Sequence, residues 1–307
     1  MVFELRDLRD TVIFFLLPTA MVISGLLIFE YPLDEHTKNL LSVPLFGGLA
    51  LLLAGFIIDV KMSRYLRSLG WIIFAFYWST QINTLYYYEG GDVVNAVLCG
   101  VGVYLLIYFS YKELTSDADC LPWLAGVAGI AGTIYFSMES ISVLKTSLIN
   151  MVARHTAMLY SVFDSNIRAE GCLIWAGYDF IKKTAPTAEI IFACTAIQSM
   201  LLFVGLILPL REVSVKKRLV AIGLLIPTIY FLNLIRNAMV VYLVGYNITD
   251  MNIAHNYVGK SGSLLALIVL VFLVFKYIPE LYEKVVCTVN LYKNEGPIER
   301  TLKKVIK

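Results

Sequence analysis

Residues 190–210 read IIFACTAIQSMLLFVGLILPL, an apolar run with a thiol, Cys194, near its start. Residues 219–245 form a second such run, and its centre, FLNLIRNAMVVYL over 231–243, carries Arg236. A third begins within NIAHNYVGKSGSLLALIVL over 252–270, with His255 just ahead of it. A bilayer asks for about 20 apolar residues per helix, and the first two runs meet that length. A thiol, a fixed cation and an imidazole thus arrive at the start, middle and entrance of three successive hydrophobic segments. A guanidinium at membrane depth is expensive, so its presence is itself a functional signal.

The rest of the chain has the same character. Of 307 residues, 59% are hydrophobic and only 16% charged, well under the roughly 25% of soluble domains. This predicts an all-α, polytopic membrane protein. Eight spans are expected, at 11–29, 41–60, 69–87, 93–110, 121–136, 190–210, 219–245 and 262–275, the fifth and eighth being short. A tight turn is expected at 89–92 (Glu-Gly-Gly-Asp). Residues 138–189 differ: Ile141, Val143, Leu144, Leu148 and Val152 keep a helical spacing, but Lys145, Arg154, His155 and Asp164 interrupt it. That pattern predicts one or two interfacial amphipathic helices over one mouth of the bundle. With no internal repeat or low-complexity linker, the chain reads as one integral-membrane domain over 1–307, with a catalytic core at about 187–277 and a basic tail at 278–307.

Composition narrows the partners. The basic residues form no stripe interleaved with polar readers, so nucleic acid is not expected. The five cysteines, Cys99, Cys120, Cys172, Cys194 and Cys287, include no CxxC pair and no zinc spacing. An odd, scattered set of this kind does not read as a disulfide framework, and neither a metal nor another cofactor is implied. Trp71, Trp123, Tyr277 and the run Tyr86-Tyr87-Tyr88 lie near the ends of apolar runs, as an interfacial aromatic belt would.

Orientation follows from charge. With eight spans both termini share a side, and that side holds 17 of the 25 Lys and Arg against 7 on the other, the remaining one being Arg236. The positive-inside rule then puts both termini in the cytoplasm. On that topology Cys194 lies one turn below the outer surface. Arg236 is about 13 Å inward from the outer end of its span at 1.5 Å per residue, and its side chain can snorkel part of the way back. His255 falls in the outer loop. All three converge on the extracellular half of the membrane, on the same side as 138–189.

A cysteine nucleophile needs a thiolate, which a neighbouring base or cation favours. His255 is the candidate general acid/base. Arg236, always protonated, is a candidate oxyanion stabiliser or substrate anchor. Thr195 and Gln198 beside the Cys, Asn233 and Asn237 beside the Arg, and Asn256 after the His are candidate supporting or substrate-binding residues. Each has a plainer reading. A cysteine in an apolar helix is usually a small packing residue, and buried amides are often helix–helix glue. Cys172 and His155 form a competing Cys–His pair on the same side, and Glu189 is the nearest acidic partner for Arg236 by topology. Two other functions stay open: a transporter using Arg236 to bind an anionic solute, and a non-catalytic membrane assembly protein docking through 138–189. Asn247-Ile248-Thr249 is a glycosylation sequon on the expected outer side.

The blocks ACTAIQSM, LIRNAMVVYL and AHNYVGKSGSLLALI, in that order, resemble the signature blocks of the exosortase/archaeosortase family, most closely its archaeosortase members. The resemblance covers roughly residues 10–280, with its specific motifs in 190–268. It implies a transpeptidase whose site is Cys, Arg and a third residue that is His or Arg, matched here by Cys194, Arg236 and His255. It departs at Ala196, where Gly more often follows the ACT block. It also implies the partners: secreted surface proteins ending in a short motif of the Pro-Gly-Phe type, a transmembrane helix and a basic tail, with a membrane lipid as acceptor of the new C-terminus.

Overall fold

The computed structural model describes residues 2–306 except 59, 61, 88–92, 183–184 and 295. The tight turn expected at 89–92 lies outside them. In chain order the helices are α1 (Val2–Ile28), α2 (Glu35–Ile57), α3 (Ser63–Thr80), α4 (Ile82–Tyr87), α5 (Val93–Thr115), α6 (Cys120–Ser140), α7 (Ser142–Tyr160), α8 (Gly177–Lys182), α9 (Ile197–Ile207), α10 (Val215–Gly245), α11 (Lys260–Tyr277), α12 (Pro279–Val289) and α13 (Pro297–Ile306). Three short strands, β1 (Ile167–Glu170), β2 (Leu173–Ala176) and β3 (Ala188–Glu189), interrupt them. The protein is an all-α, multi-pass membrane protein with one small sheet. Among the described residues six helices are long and apolar enough to cross a membrane: α1, α2, α5, α6, α10 and the continuous helix Ile253–Tyr277.

The other two expected spans differ. The third is α3 followed by α4, with a break at Gln81. The sixth is reduced to α9, whose 11 residues reach about 16 Å, half of a bilayer's apolar core. Two spans expected to be short are full length, since α6 has 21 residues and the last span 25. The chain divides into two compact units, Met1–Thr133 with Glu283–Lys307, and Ile134–Tyr282.

In the first unit, charges that the sequence placed in loops are helical and paired. α3 starts early enough to include Arg67, whose Nε meets Glu113 Oε2 at 2.8 Å and whose Nη1 donates to the Gly55 carbonyl at 2.9 Å. α5 runs on to Thr115, so Lys112 is a helical residue and fully buried. It pairs with Glu299 of α13 and donates to the Asn294 carbonyl at 2.6 Å. The basic tail is therefore folded, with Leu291 and Ile298 buried. The reading of the cysteines needs correction too: Cys120 and Cys287, 167 residues apart, form a disulfide. Their spacing gives no hint of it, because only the return of the tail brings the start of α6 and the end of α12 to a Cα separation of 6.0 Å.

The second unit is built on α10. Ser214 caps its start by accepting the Lys217 N–H. α7 lays Val152, Ala153, Thr156 and Tyr160 against its neighbours, as amphipathic spacing predicts. α11 leaves Leu264, Leu265, Ile268, Val269 and Phe272 exposed, the lipid-facing surface of a membrane helix. Between α7 and α9 the chain forms an antiparallel sheet in the order β1-β2-β3 rather than a second long interfacial helix. Ile167, Ala169, Ile174 and Ala176 alternate, and Gly171 takes a positive φ of 59° at the hairpin turn. Arg168 faces Trp175 across the ladder, its guanidinium 4.8 Å from the ring centre. The sheet seats on the end of α10 by backbone contact. A Cβ on Gly177 would lie 2.5 Å from the Gly245 carbonyl oxygen, and Gly177 has φ +56°, so neither the space nor the conformation suits another residue.

Candidate active site

Cys194 lies in a 3-10 turn, Phe192–Thr195, ahead of α9 rather than inside a spanning helix. The sheet is the reason. Ala188 and Glu189 pair with Ile174 and Leu173, and the Ile190 N–H donates to the Cys172 carbonyl at 2.8 Å. That backbone is committed to the ladder and cannot begin a helix at 190. The turn ends at Ala196, which takes a left-handed conformation (φ 61°). A side chain there costs about 1–2 kcal/mol, which gives a physical reason for glycine after the ACT block.

The Cys194 carbonyl, in this short turn, receives two side-chain donors. Both are amides of α10. Asn233 Nδ2 donates to this oxygen at 2.9 Å and Asn237 Nδ2 at 3.1 Å. Residues four apart share one helix face, so a single stripe of α10 supplies both, and both amides are buried. Thr195 closes the turn from within, donating from Oγ1 to the Phe192 carbonyl at 2.7 Å. Cys194 is thus buried on a segment held by its own backbone.

Cys194, Asn237 and His255 line one small, open cleft. Glu189, Val240, Val241 and Met251 contribute to its walls. His255 reaches it from a π-helical turn, Ile253–Gly259, that runs directly into α11. This corrects the expectation of a loop: His255 belongs to the first turns of the last span. Single π-turns in otherwise α-helical segments are rare and often mark functional sites.

Arg236 stands beside this wall, not on it. It is half-buried, and its Nη1 is 3.5 Å from Asn237 Oδ1. Among the described residues its Nε is buried with no hydrogen-bond partner. The stem crosses the π-turn at Gly259, where a Cβ would come within 3.1 Å of Nε.

The other expected residues divide. Asn233, Asn237 and Thr195 hold the Cys194 segment. Gln198 is exposed, with Nε2 donating to Tyr135 at 3.0 Å. Asn256 is exposed as well, bonded to Asn252 of its own turn at 2.6 Å. Neither lines the cleft. The competing pair comes apart: His155 Nδ1 bonds Tyr230 at 2.8 Å, and Cys172 Sγ lies 3.7 Å from Glu189 Oε1. The β3 wall is what the sequence reading missed, though the alternation over 167–176 and Gly171 were its signal. Among the described residues no group of three His, Cys, Asp or Glu is placed to hold a metal.

Archaeosortase A of Natronomonas pharaonis is 25% identical over 228 residues, covering 71% of this chain and 70% of the relative. No solved structure matches. The profile of the family described as Transmembrane exosortase matches residues 17–275, a stretch that takes in Cys194, Asn233, Arg236, Asn237 and His255, and the chain belongs to that family.

Proposed function

We propose that this chain is a membrane-embedded cysteine transpeptidase or protease. On this reading it cleaves a C-terminal tripartite sorting signal of the Pro-Gly-Phe type on secreted surface proteins and couples cleavage to attachment of a membrane lipid. The observation that carries the proposal is that Cys194 and His255 line one cleft while the helix bearing Arg236 clamps the Cys194 carbonyl. The archaeosortase relative supports the reaction class.

In the proposed mechanism His255 takes the Cys194 thiol proton and the thiolate attacks the scissile carbonyl. Arg236, beside the cleft, is assigned to stabilise the developing oxyanion or to anchor the substrate. Collapse of the tetrahedral intermediate breaks the C–N bond. His255 returns its proton to the leaving amine, and a thioester remains on Cys194. A lipid nucleophile or water then attacks the thioester, yielding the joined or free C-terminus and restoring the thiol. Both termini are cytoplasmic in this scheme and the cleft opens at the extracellular face. The supporting argument is the excess of Lys and Arg on the side of the termini.

The test is Cys194→Ala and Cys194→Ser, followed on a reporter bearing a Pro-Gly-Phe-type tail by gel mobility and C-terminal mass. Both variants are expected to sit stably in the membrane and leave the tail uncut. Unchanged processing in either would overturn the cysteine mechanism.

A further inference from the structure

We infer that β3 is the docking edge for the substrate polypeptide, which binds beside Cys194 as an additional, extended strand. The inference rests on the transpeptidase reading above. β3 is the edge of the three-stranded sheet, paired only with β2 among the described residues. Ile190 donates its N–H inward, to Cys172 at 2.8 Å. In an antiparallel ladder, hydrogen-bonded and non-hydrogen-bonded pairs alternate. Glu189, opposite Leu173 and next to Ile190, is therefore a non-bonded pair, with its N–H and C=O turned away from β2. Ala188, Glu189 and Ile190 form one wall of the cleft that holds Cys194 and His255.

The occupant follows from that position. A peptide whose carbonyl reaches the Cys194 thiol passes along this wall, and an extended peptide carries its own unpaired N–H and C=O groups. Main-chain pairing with an exposed edge satisfies both partners. Glu189 offers one complete two-bond pair. The buried side chains of Ala188 and Ile190 point to the opposite face from Glu189, so the backbone of Glu189 and not a side-chain pocket makes the first contact. Such docking tolerates sequence variation in the bound segment while fixing its register, and register determines which bond meets the thiol.

The experiment uses the full chain in lipid nanodiscs and the Pro-Gly-Phe-type reporter. Glu189→Pro removes one outward N–H and leaves the bonds to β2 in place, since proline is tolerated on edge strands. Glu189→Ala removes the carboxylate and keeps the N–H. Expected is a KM for Glu189→Pro higher than that for Glu189→Ala by roughly three- to tenfold, the worth of one net hydrogen bond. Alkylation of Cys194 by iodoacetamide, which needs no strand pairing, reports whether the cleft is intact. In parallel, wild-type protein is given reporters in which single amides near the cleavage site are replaced by esters. One ester position is expected to raise KM by a similar factor, and this arm needs no folded variant. Equal KM values for the Pro and Ala variants, together with no sensitive ester position, overturn the docking. A change of oligomeric state in Glu189→Pro with unchanged KM overturns it as well, and assigns the edge to a second copy of the chain. If Cys194→Ala abolishes processing while these arms fail, the cysteine reading stands without the docking. If Cys194→Ala still processes, that reading falls by itself.

Discussion

Two charges in apolar surroundings, Lys112 and Arg236, have opposite fates. Lys112 is fully buried and fully satisfied: it pairs with Glu299, donates to the Asn294 carbonyl at 2.6 Å and lies over the rings of Tyr108 and Tyr111. Its carboxylate partner accepts in turn from Tyr108 at 2.8 Å and from the Gly296 N–H at 2.9 Å. Arg236 is half-buried, its Nη1 is a long 3.5 Å from Asn237 Oδ1, and among the described residues its Nε is buried without a partner. A buried charge that holds a fold together usually has its hydrogen bonds made, though Glu113 Oε1 and Arg218 Nε are also buried without a partner among the described residues. One kept for a substrate leaves some unmade, at a cost in stability that another interaction must offset. On the proposed function the difference sets Lys112, a structural cation, apart from Arg236, a candidate functional one.

Three experiments test this contrast. The largest effect is expected for Lys112→Met, which strands Glu299. Loss of one partner of a buried pair costs about 3–5 kcal/mol, read as a lower midpoint of thermal unfolding in detergent. Processing per folded molecule should persist. The double variant Lys112→Met/Glu299→Leu should recover about half or more of that loss, and failure to recover would mean that the pair contributes more than mutual neutralisation. Next, Arg236→Ala should slow processing by roughly 10²–10³, or about 2.7–4 kcal/mol of transition-state stabilisation, with little change in thermal midpoint. A stability loss as large as that of Lys112→Met would make Arg236 another structural cation and erase the contrast. The smallest effect is at Ala196. Glycine relieves the left-handed strain of about 1–2 kcal/mol but loses entropy of about 0.5–1 kcal/mol. Ala196→Gly should therefore raise stability by about 0.5–1 kcal/mol, and a lower midpoint would show that the turn bearing Cys194 is not strained.

Much of the architecture was legible in the sequence, because crossing a bilayer imposes a local rule that any long apolar run obeys. The cysteine, the arginine and its two flanking asparagines, and the histidine were all identifiable as residues out of place. Errors fell where a long-range contact overrode local pattern. Residues 190–196 are apolar enough for a helix, yet pairing of 188–190 with β2 keeps them out of one. Arg67 and Lys112 look like flanking loop cations until Glu113 and Glu299 are seen beside them. The short alternation over 167–176 was masked by the helical spacing that precedes it.

Composition and pattern alone establish that this is a multi-pass helical membrane protein, where most of its spans lie, and which polar residues are candidates for chemistry. Those properties depend on composition and on periodicities within some twenty residues. Only the tertiary structure decided that Asn233 and Asn237 hold the carbonyl of a residue 39 and 43 positions away, that a strand edge walls the Cys194 cleft, and which cations are paired. The physical reason is that hydrogen-bond satisfaction is a property of packed neighbours. Tyr108 and Glu299, 191 residues apart, become partners only when the chain has folded back on itself.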